Sequence, residues 1–398
     1  MVEALHSVEE LRQLASPFPY NSTLQDWKEK GEKIIGYTCI YVPEEILHAA
    51  GMTPFRISGD NQEIDLTQAD SYLYINSCSL ARGCLQLGLE GKYDFLDGFV
   101  LGETCDGVRR LFDVWEGYLS TPFMYVYGVP RKFTEEAYDL MTWELKELKR
   151  AVEEHFQTQI TEKALRESIA LYGQTRQMLR RLYDYRKLDA PPITGAETLE
   201  VLKAAVRLPR EVYNRKLEKV LDELASTSRK IEGRVRLMIN GSVLHNSEFV
   251  KGIESVGGLV VTDELCTGTR YFWEEVSSEG EPLEALARYS LGRPPCARFV
   301  PSTKRFDHVF NMIKEFRVEG VVNQIIRYCV PYGHDEPILS EKLREDNIPV
   351  LELDLEYCTG NTGQIRTRAE AFIEMLNNLR EERGRKLNRG DRRCNPTK

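Results

Sequence analysis

No two of the nine cysteines in this 398-residue chain are spaced as Cys-x-x-Cys. That lack argues against a zinc ribbon and against a thioredoxin-type redox pair. The chain also has no G-x-x-x-x-G-K-[ST] run, so it carries no Walker-type ATP site. It begins without a basic-then-apolar leader, and no apolar run reaches the roughly 18 residues that cross a bilayer. These absences predict a cytoplasmic chain with no membrane partner, reduced cysteines and sequons at Asn21 and Asn240 that never meet the glycosylation machinery. A basic surplus is missing too. The net charge of −9 argues against nucleic acid as a partner.

What is there is ordinary for a globular protein: 42% hydrophobic and 29% charged residues. The length predicts two or three domains. In the first 131 residues apolar runs alternate with helical patterns. Lys33 to Val42 reads as a strand, Pro43 opens a helix, and Phe55 to Ser58 begins a second strand. Asn76 to Glu90 reads as a helix, Phe95 to Leu101 as a strand and Pro122 to Tyr127 as another. Strands alternating with helices predict α/β architecture with a parallel, doubly wound sheet. From 132 to 232 apolar residues recur at three and four (Trp143, Leu145, Leu148, Val152), which predicts a helical connecting region. His155 in it reads as a surface residue. Residues 233–386 return to the strand–helix alternation and predict a second Rossmann-like domain. Residues 387–398 read as a flexible basic tail, and Cys394 in it is assigned no role.

The cysteines fall in one kind of place. Cys105, Cys266, Cys329 and Cys358 each follow an apolar run, and Cys78 sits in the first turn of a helix, with Cys84 six residues on. In open α/β sheets, sites form beyond the carboxyl ends of the strands. Helix N-termini there favour thiolate over thiol, and thiolates hold metal. A lone cysteine is ordinarily a small buried hydrophobe, but several at strand ends point to an iron–sulfur site. At 100° per residue Cys78 and Cys84 point about 120° apart, so they do not share an iron. Cys39 reads as a strand residue and Cys296, after Pro294-Pro295, as a bystander.

The runs Gly36-Tyr37 to Gly51, Phe95-Leu-Asp-Gly98 with Cys105-Asp106, Cys329 near Glu336-Pro337, and Gly363-Gln364 through Arg366 resemble the 2-hydroxyacyl-CoA dehydratase and benzoyl-CoA reductase family. The resemblance covers nearly the whole chain. It implies two Rossmann-like domains, a [4Fe–4S] cluster on three cysteines that map to Cys78, Cys105 and Cys329, and a separate ATP-hydrolysing activator. That activator, itself an iron–sulfur dimer, delivers low-potential electrons. A further set, Cys84, Cys266 and Cys358, resembles the double-cubane branch of the family. There two cubanes share a sulfide as an [8Fe–9S] cluster in a homodimer, and small molecules are reduced.

Three readings stay open on the sequence. One is a double-cubane reductase, in which His334 is the candidate proton donor and Arg109, Arg270, Arg327 and Tyr328 flank the ligands. The second is a single-cluster [4Fe–4S] subunit of a dehydratase or aryl-CoA reductase. The third is a thiol-rich protein without iron.

Overall fold

The computed structural model describes residues 4–59, 64–357 and 362–391. Two lead-in helices, α1 (His6–Leu14) and α2 (Ser22–Glu29), precede a sheet built from β1 (Lys33–Tyr37), β2 (Met52–Arg56), β3 (Gly98–Glu103) and β4 (Phe123–Gly128). Its crossovers carry α3 (Glu44–Ala49), α4 (Ser79–Leu89) and α5 (Asp106–Tyr118). The strands are all parallel, in the order β2-β1-β3-β4.

Four helices follow: α6 (Glu135–Phe156), α7 (Glu162–Arg186), α8 (Gly195–Ala205) and α9 (Arg210–Ser226). Three of them start on threonine caps, Thr134, Thr161 and Thr194, whose hydroxyls accept otherwise unpaired first-turn N–H groups. At Thr194 the cap is reciprocal with Glu197. The expected apolar stripe of α6 is buried at Leu145, Leu148 and Val152, but Trp143 lies on the exposed face and Met141 takes its place in the core.

The second sheet uses β5 (Val235–Gly241), β6 (Gly258–Glu264), β7 (Gly320–Ile326) and β8 (Val350–Leu355). Around it lie α10 (Ser247–Ser255), α11 (Thr269–Phe272), α12 (Pro282–Gly292), α13 (Thr303–Glu315), α14 (Val330–Glu345) and α15 (Thr362–Asp391). Its order, β6-β5-β7-β8, repeats that of the first sheet, again all parallel. The fold is thus α/β with two four-stranded parallel sheets, as the alternation predicted. The final helix runs to Asp391, into the 387–398 stretch read as a flexible tail, and residues 392–398 with Cys394 lie outside the described residues.

One expected element is shorter than its apolar run. The strand anticipated over Lys33 to Val42 stops at Tyr37. Ile40, Tyr41 and Val42 are apolar for another reason: they are buried in the core shared by the two sheets and the helical region. Tyr41 stacks on Phe299, 5.2 Å between ring centres. Cys39 therefore lies past the carboxyl end of a strand.

Buried ion pairs hold the halves together. Glu44, opening α3, meets Arg210 of α9 at 2.9 Å and the Tyr271 hydroxyl of α11 at 2.6 Å. Glu45 pairs with Arg176 of α7, whose Nε donates to Tyr289 of α12 at 2.9 Å. The helical connecting region supplies the cations of this clasp.

Gly241 ends β5 with φ of +126°, and a Cβ there would sit 1.9 Å from the carbonyl oxygen of Gln324 on β7. Gly241→Ala is expected to cost well over about 1 kcal/mol, because it adds a backbone clash to a conformation L-residues avoid. Urea unfolding checks this; a stability unchanged from the parent would mean that the β5–β7 approach is looser than described.

Candidate functional site

Each sheet reverses its winding direction beside its first strand, between β1 and β3 and between β5 and β7. Such switch points open a crevice at the carboxyl ends of the strands. Cys39 follows β1, Cys105 follows β3, Cys266 follows β6 and Cys329 follows β7. Sequence order puts Cys105, Cys266 and Cys329 at strand ends, and the early stop of β1 adds Cys39; the packing of the two sheets brings these thiols within reach of one another.

Cys78, Cys105 and Cys329 share a local design. Each is the N-cap residue of a helix: α4, α5 and α14 respectively. All three are half-buried and packed against apolar neighbours. Burial pushes the Cys78 thiol up to about 11, and the nearby Cys329 adds to that. Burial also holds Cys105 well above the usual thiol range, with Cys78, Cys329 and Cys39 contributing, while the Val108 N–H one turn on pulls it back. Cys329 is raised by burial and by Cys296 and Cys266, against the Ser242 hydroxyl and the Tyr332 N–H, which favour thiolate. The backbone helps to aim Cys329: Tyr328 before it has φ of +66°, a left-handed conformation rare for a bulky residue and a form of strain that surrounding packing must hold. Cys78 also lies close to α5, since a Cβ on Gly107 would be 3.5 Å from its sulfur.

The residues named from sequence divide into several groups. Cys78, Cys105 and Cys329, the three onto which the resemblance maps a cluster, lie near enough to act on one another's thiols. Cys266, buried after β6, joins their surroundings through Cys329. Cys84 does not. It is 2% exposed inside the aromatic and aliphatic core between α4 and β3, with Leu85, Tyr93 and Phe99 in the same cluster. The 120° divergence from Cys78 turns it into that core. Cys358 lies outside the described residues. His334 on α14 is exposed, while its neighbours Asp335 and Glu336 are buried. Arg109 and Arg327 are about half exposed and pair with Glu103 and Glu356. Arg270 is buried against Glu264 at 2.9 Å.

Two residues carry more than their sequence positions suggest. Cys39 contributes to the raised thiols of both Cys105 and Cys296. Cys296, between α12 and α13, is raised by burial, and its N–H donates to the Tyr41 hydroxyl at 3.2 Å. A usable signal for Cys39 is strand length: a ten-residue run is long for a strand, and the chain must leave the sheet before Pro43. No comparable signal exists for Cys296.

The donor set suits a cluster better than a single ion. Among the described residues, no three His, Cys, Asp or Glu side chains stand close enough to share one metal ion. An iron–sulfur cluster is larger, holds its cysteines farther apart and takes them from separate loops. It is also anionic, and the crevice is rich in buried donors. Arg56 Nη2 donates to the Cys266 sulfur at 3.0 Å. The hydroxyls of Thr38, Tyr37 and Tyr332 and Nη1 of Arg270 are buried without a hydrogen-bond partner among the described residues. Three helix N-termini add partial positive charge. Metals bind thiolate, so loading these raised thiols releases protons. The approach to Cys78 and Cys329 is apolar: Tyr74, Ile75, Tyr328 and Val330 are all exposed there.

Comparison with known proteins identifies the family. The family model for the D-component of 2-hydroxyglutaryl-CoA dehydratase matches residues 39–376. The chain is 27% identical to a benzoyl-CoA reductase subunit of Thauera aromatica over 360 residues, covering 88% of this chain and 93% of that protein. It is 30% identical to a putative dehydratase subunit of Escherichia coli (strain K12) over 366 residues, 89% and 94% of the two chains. It is 26% identical to the beta subunit of (R)-2-hydroxyglutaryl-CoA dehydratase of Acidaminococcus fermentans over 385 residues, 93% and 98% of the two chains. The chain belongs to the family of the 2-hydroxyglutaryl-CoA dehydratase D-component and benzoyl-CoA reductase subunits.

Proposed function

We propose that this chain is an iron–sulfur reductase that takes low-potential electrons from a separate ATP-hydrolysing iron–sulfur activator and reduces small molecules. The observation that carries the reading is the convergence of Cys78, Cys105 and Cys329, each capping a helix. Bound there, a cluster would supply one-electron chemistry at low potential. The chain's own residues would hold it by thiolate, bury it and hydrogen-bond its sulfurs. The exposed apolar residues around Cys78 and Cys329 support electron delivery by another protein, since they offer a surface next to the ligands. The absence of a Walker-type motif in this chain supports a separate ATPase.

The number of clusters turns on the remaining cysteines. Cys39, Cys266 and Cys296 lie within electrostatic reach of the first set and supply the sulfur a second cubane needs. They support the double-cubane form, an [8Fe–9S] cluster in a homodimer, with Cys39 and Cys296 as sulfurs additional to the expected Cys84, Cys266 and Cys358. The second reading, a single [4Fe–4S] subunit of a 2-hydroxyacyl-CoA dehydratase or benzoyl-CoA reductase, is favoured by the loss of Cys84 to the core and by the relatives' names.

Iron and acid-labile sulfide per chain, measured on anaerobically reconstituted protein, separate the readings. About eight irons support two cubanes and about four support one; none defeats both. Cys266→Ser is expected to lower the iron count only if the second cubane exists. The same variant with full iron and activity would favour the dehydratase subunit.

A further inference from the structure

We infer that Arg56 is the fixed counter-charge of the sulfur centre, reaching from the first sheet to hold Cys266 of the second. Arg56 ends β2 and is 2% exposed. Its Nη2 donates to the Cys266 sulfur at 3.0 Å, its Nη1 to the Cys266 carbonyl at 2.9 Å and its Nε to the Thr38 carbonyl, next to Cys39, at 3.1 Å. One planar guanidinium thus orients a sulfur and the two loops that carry Cys39 and Cys266.

Arg56 differs from nearby buried arginines in donating to a sulfur: Arg293 and Arg298, beside Cys296, also make no carboxylate ion pair among the described residues but donate to the Ser290 and Val129 carbonyls. Arg176, Arg210, Arg270 and Arg305 lie against Glu45, Glu44, Glu264 and the Glu264–Asp335–Glu336 group respectively. Arg56 makes no carboxylate ion pair among the described residues, and the groups that act on its charge are Cys266, Tyr37 and Cys39. A buried cation needs an anion, and sulfur is what the site offers. The inference rests on the iron–sulfur reading. It adds a positioning residue, acting through Cys266, that stabilises the more negative, reduced state of the centre by charge and by an N–H···S bond.

The test compares the reconstituted wild-type protein with Arg56→Met and Arg56→Lys. Iron per chain is counted, and the midpoint potential is followed by electron paramagnetic resonance during a redox titration. Arg56→Met is expected to hold a centre with a more negative midpoint than the wild type. Arg56→Lys keeps the charge but not the fork, so its midpoint is expected to shift in the same direction by less. If Arg56→Met does not fold, Arg56→Gln, which removes the charge and keeps a side-chain N–H donor, decides: a more negative midpoint supports the inference and an unmoved one overturns it. Lower thermal stability with an unmoved midpoint would assign Arg56 a purely structural role and also overturn it. Wild-type protein without iron defeats the proposed function and this inference together. Iron with an unmoved midpoint in Arg56→Met defeats only the inference.

Discussion

Replacing Cys105 by serine is expected to remove a whole cluster's iron while leaving the metal-free fold intact. Cys105 is the N-cap of α5, and its thiol makes no side-chain cap hydrogen bond there. Serine is among the best N-cap residues, worth about 1 kcal/mol over a residue that cannot cap. The substitution therefore removes a ligand and, if anything, strengthens the helix. Metal-free Cys105→Ser is expected to melt at or above the parent's temperature, with an unchanged far-ultraviolet spectrum. Its reconstituted iron should fall by about four per chain: to near zero with one cubane, to about half with two. Full iron in a normally folded Cys105→Ser protein would remove Cys105 from the ligand set, and with it the proposed grouping with Cys78 and Cys329. Cys329→Ser and Cys78→Ser make the same test at α14 and α4.

Much of this site is legible because local rules put it there. The run Phe95 to Leu101 marks β3 in outline, and Cys105 falls at the boundary between strand and helix, where the observed N-cap is. Cys78 caps its helix instead of lying in the first turn, because the helix starts at Ser79, three residues after the expected Asn76. The misses are non-local. Tyr41 and its neighbours are apolar because they meet Phe299, more than 250 residues away in the chain, so they mimic a longer strand and hide Cys39. Helical spacing correctly turns Cys84 away from Cys78, but only the packing of α4 on β3 tells that it faces a core and not a crevice. The Arg56–Cys266 contact spans 210 residues and joins β2 of the first sheet to the loop after β6 of the second; no window of sequence contains it. Local pattern decides which residues stand at strand ends, and the docking of the two sheets decides which of those meet.

That docking depends on a polar core beneath the cysteines. Arg305 of α13 is 1% exposed. It donates to Glu264 Oε2 at 3.2 Å, to Glu336 Oε1 at 2.6 Å, to Asn240 Oδ1 at 2.9 Å and also to Asp335. Glu264 ends the strand that leads to Cys266, and Asp335 and Glu336 lie on the helix that Cys329 caps. Two guanidiniums, Arg270 and Arg305, thus face three carboxylates. Burial raises Glu264 and Glu336 above the usual carboxylate range, and Arg305 works against that rise at both.

Arg305→Met is therefore expected to cost about 3–5 kcal/mol of stability, because it leaves buried carboxylates uncompensated. The loss has a direction in pH. A carboxyl whose folded value lies above its unfolded one contributes stability below the unfolded value and loses it as pH rises through the folded value. Removing Arg305 pushes Glu264 and Glu336 higher still, so the deficit should grow from about pH 5.5 to about pH 8. Urea unfolding of metal-free protein at both pH values measures it. The double variant Arg305→Met, Glu264→Gln should recover part of the loss, since it removes one of the stranded charges. A deficit under about 1 kcal/mol, or one that does not change with pH, would mean that these carboxylates are not held dry by the fold. In that case the polar core could not be what keeps the Cys266 and Cys329 loops in register. A large, pH-dependent loss accompanied by weaker iron retention would tie the placement of the sulfurs to the charge balance beneath them.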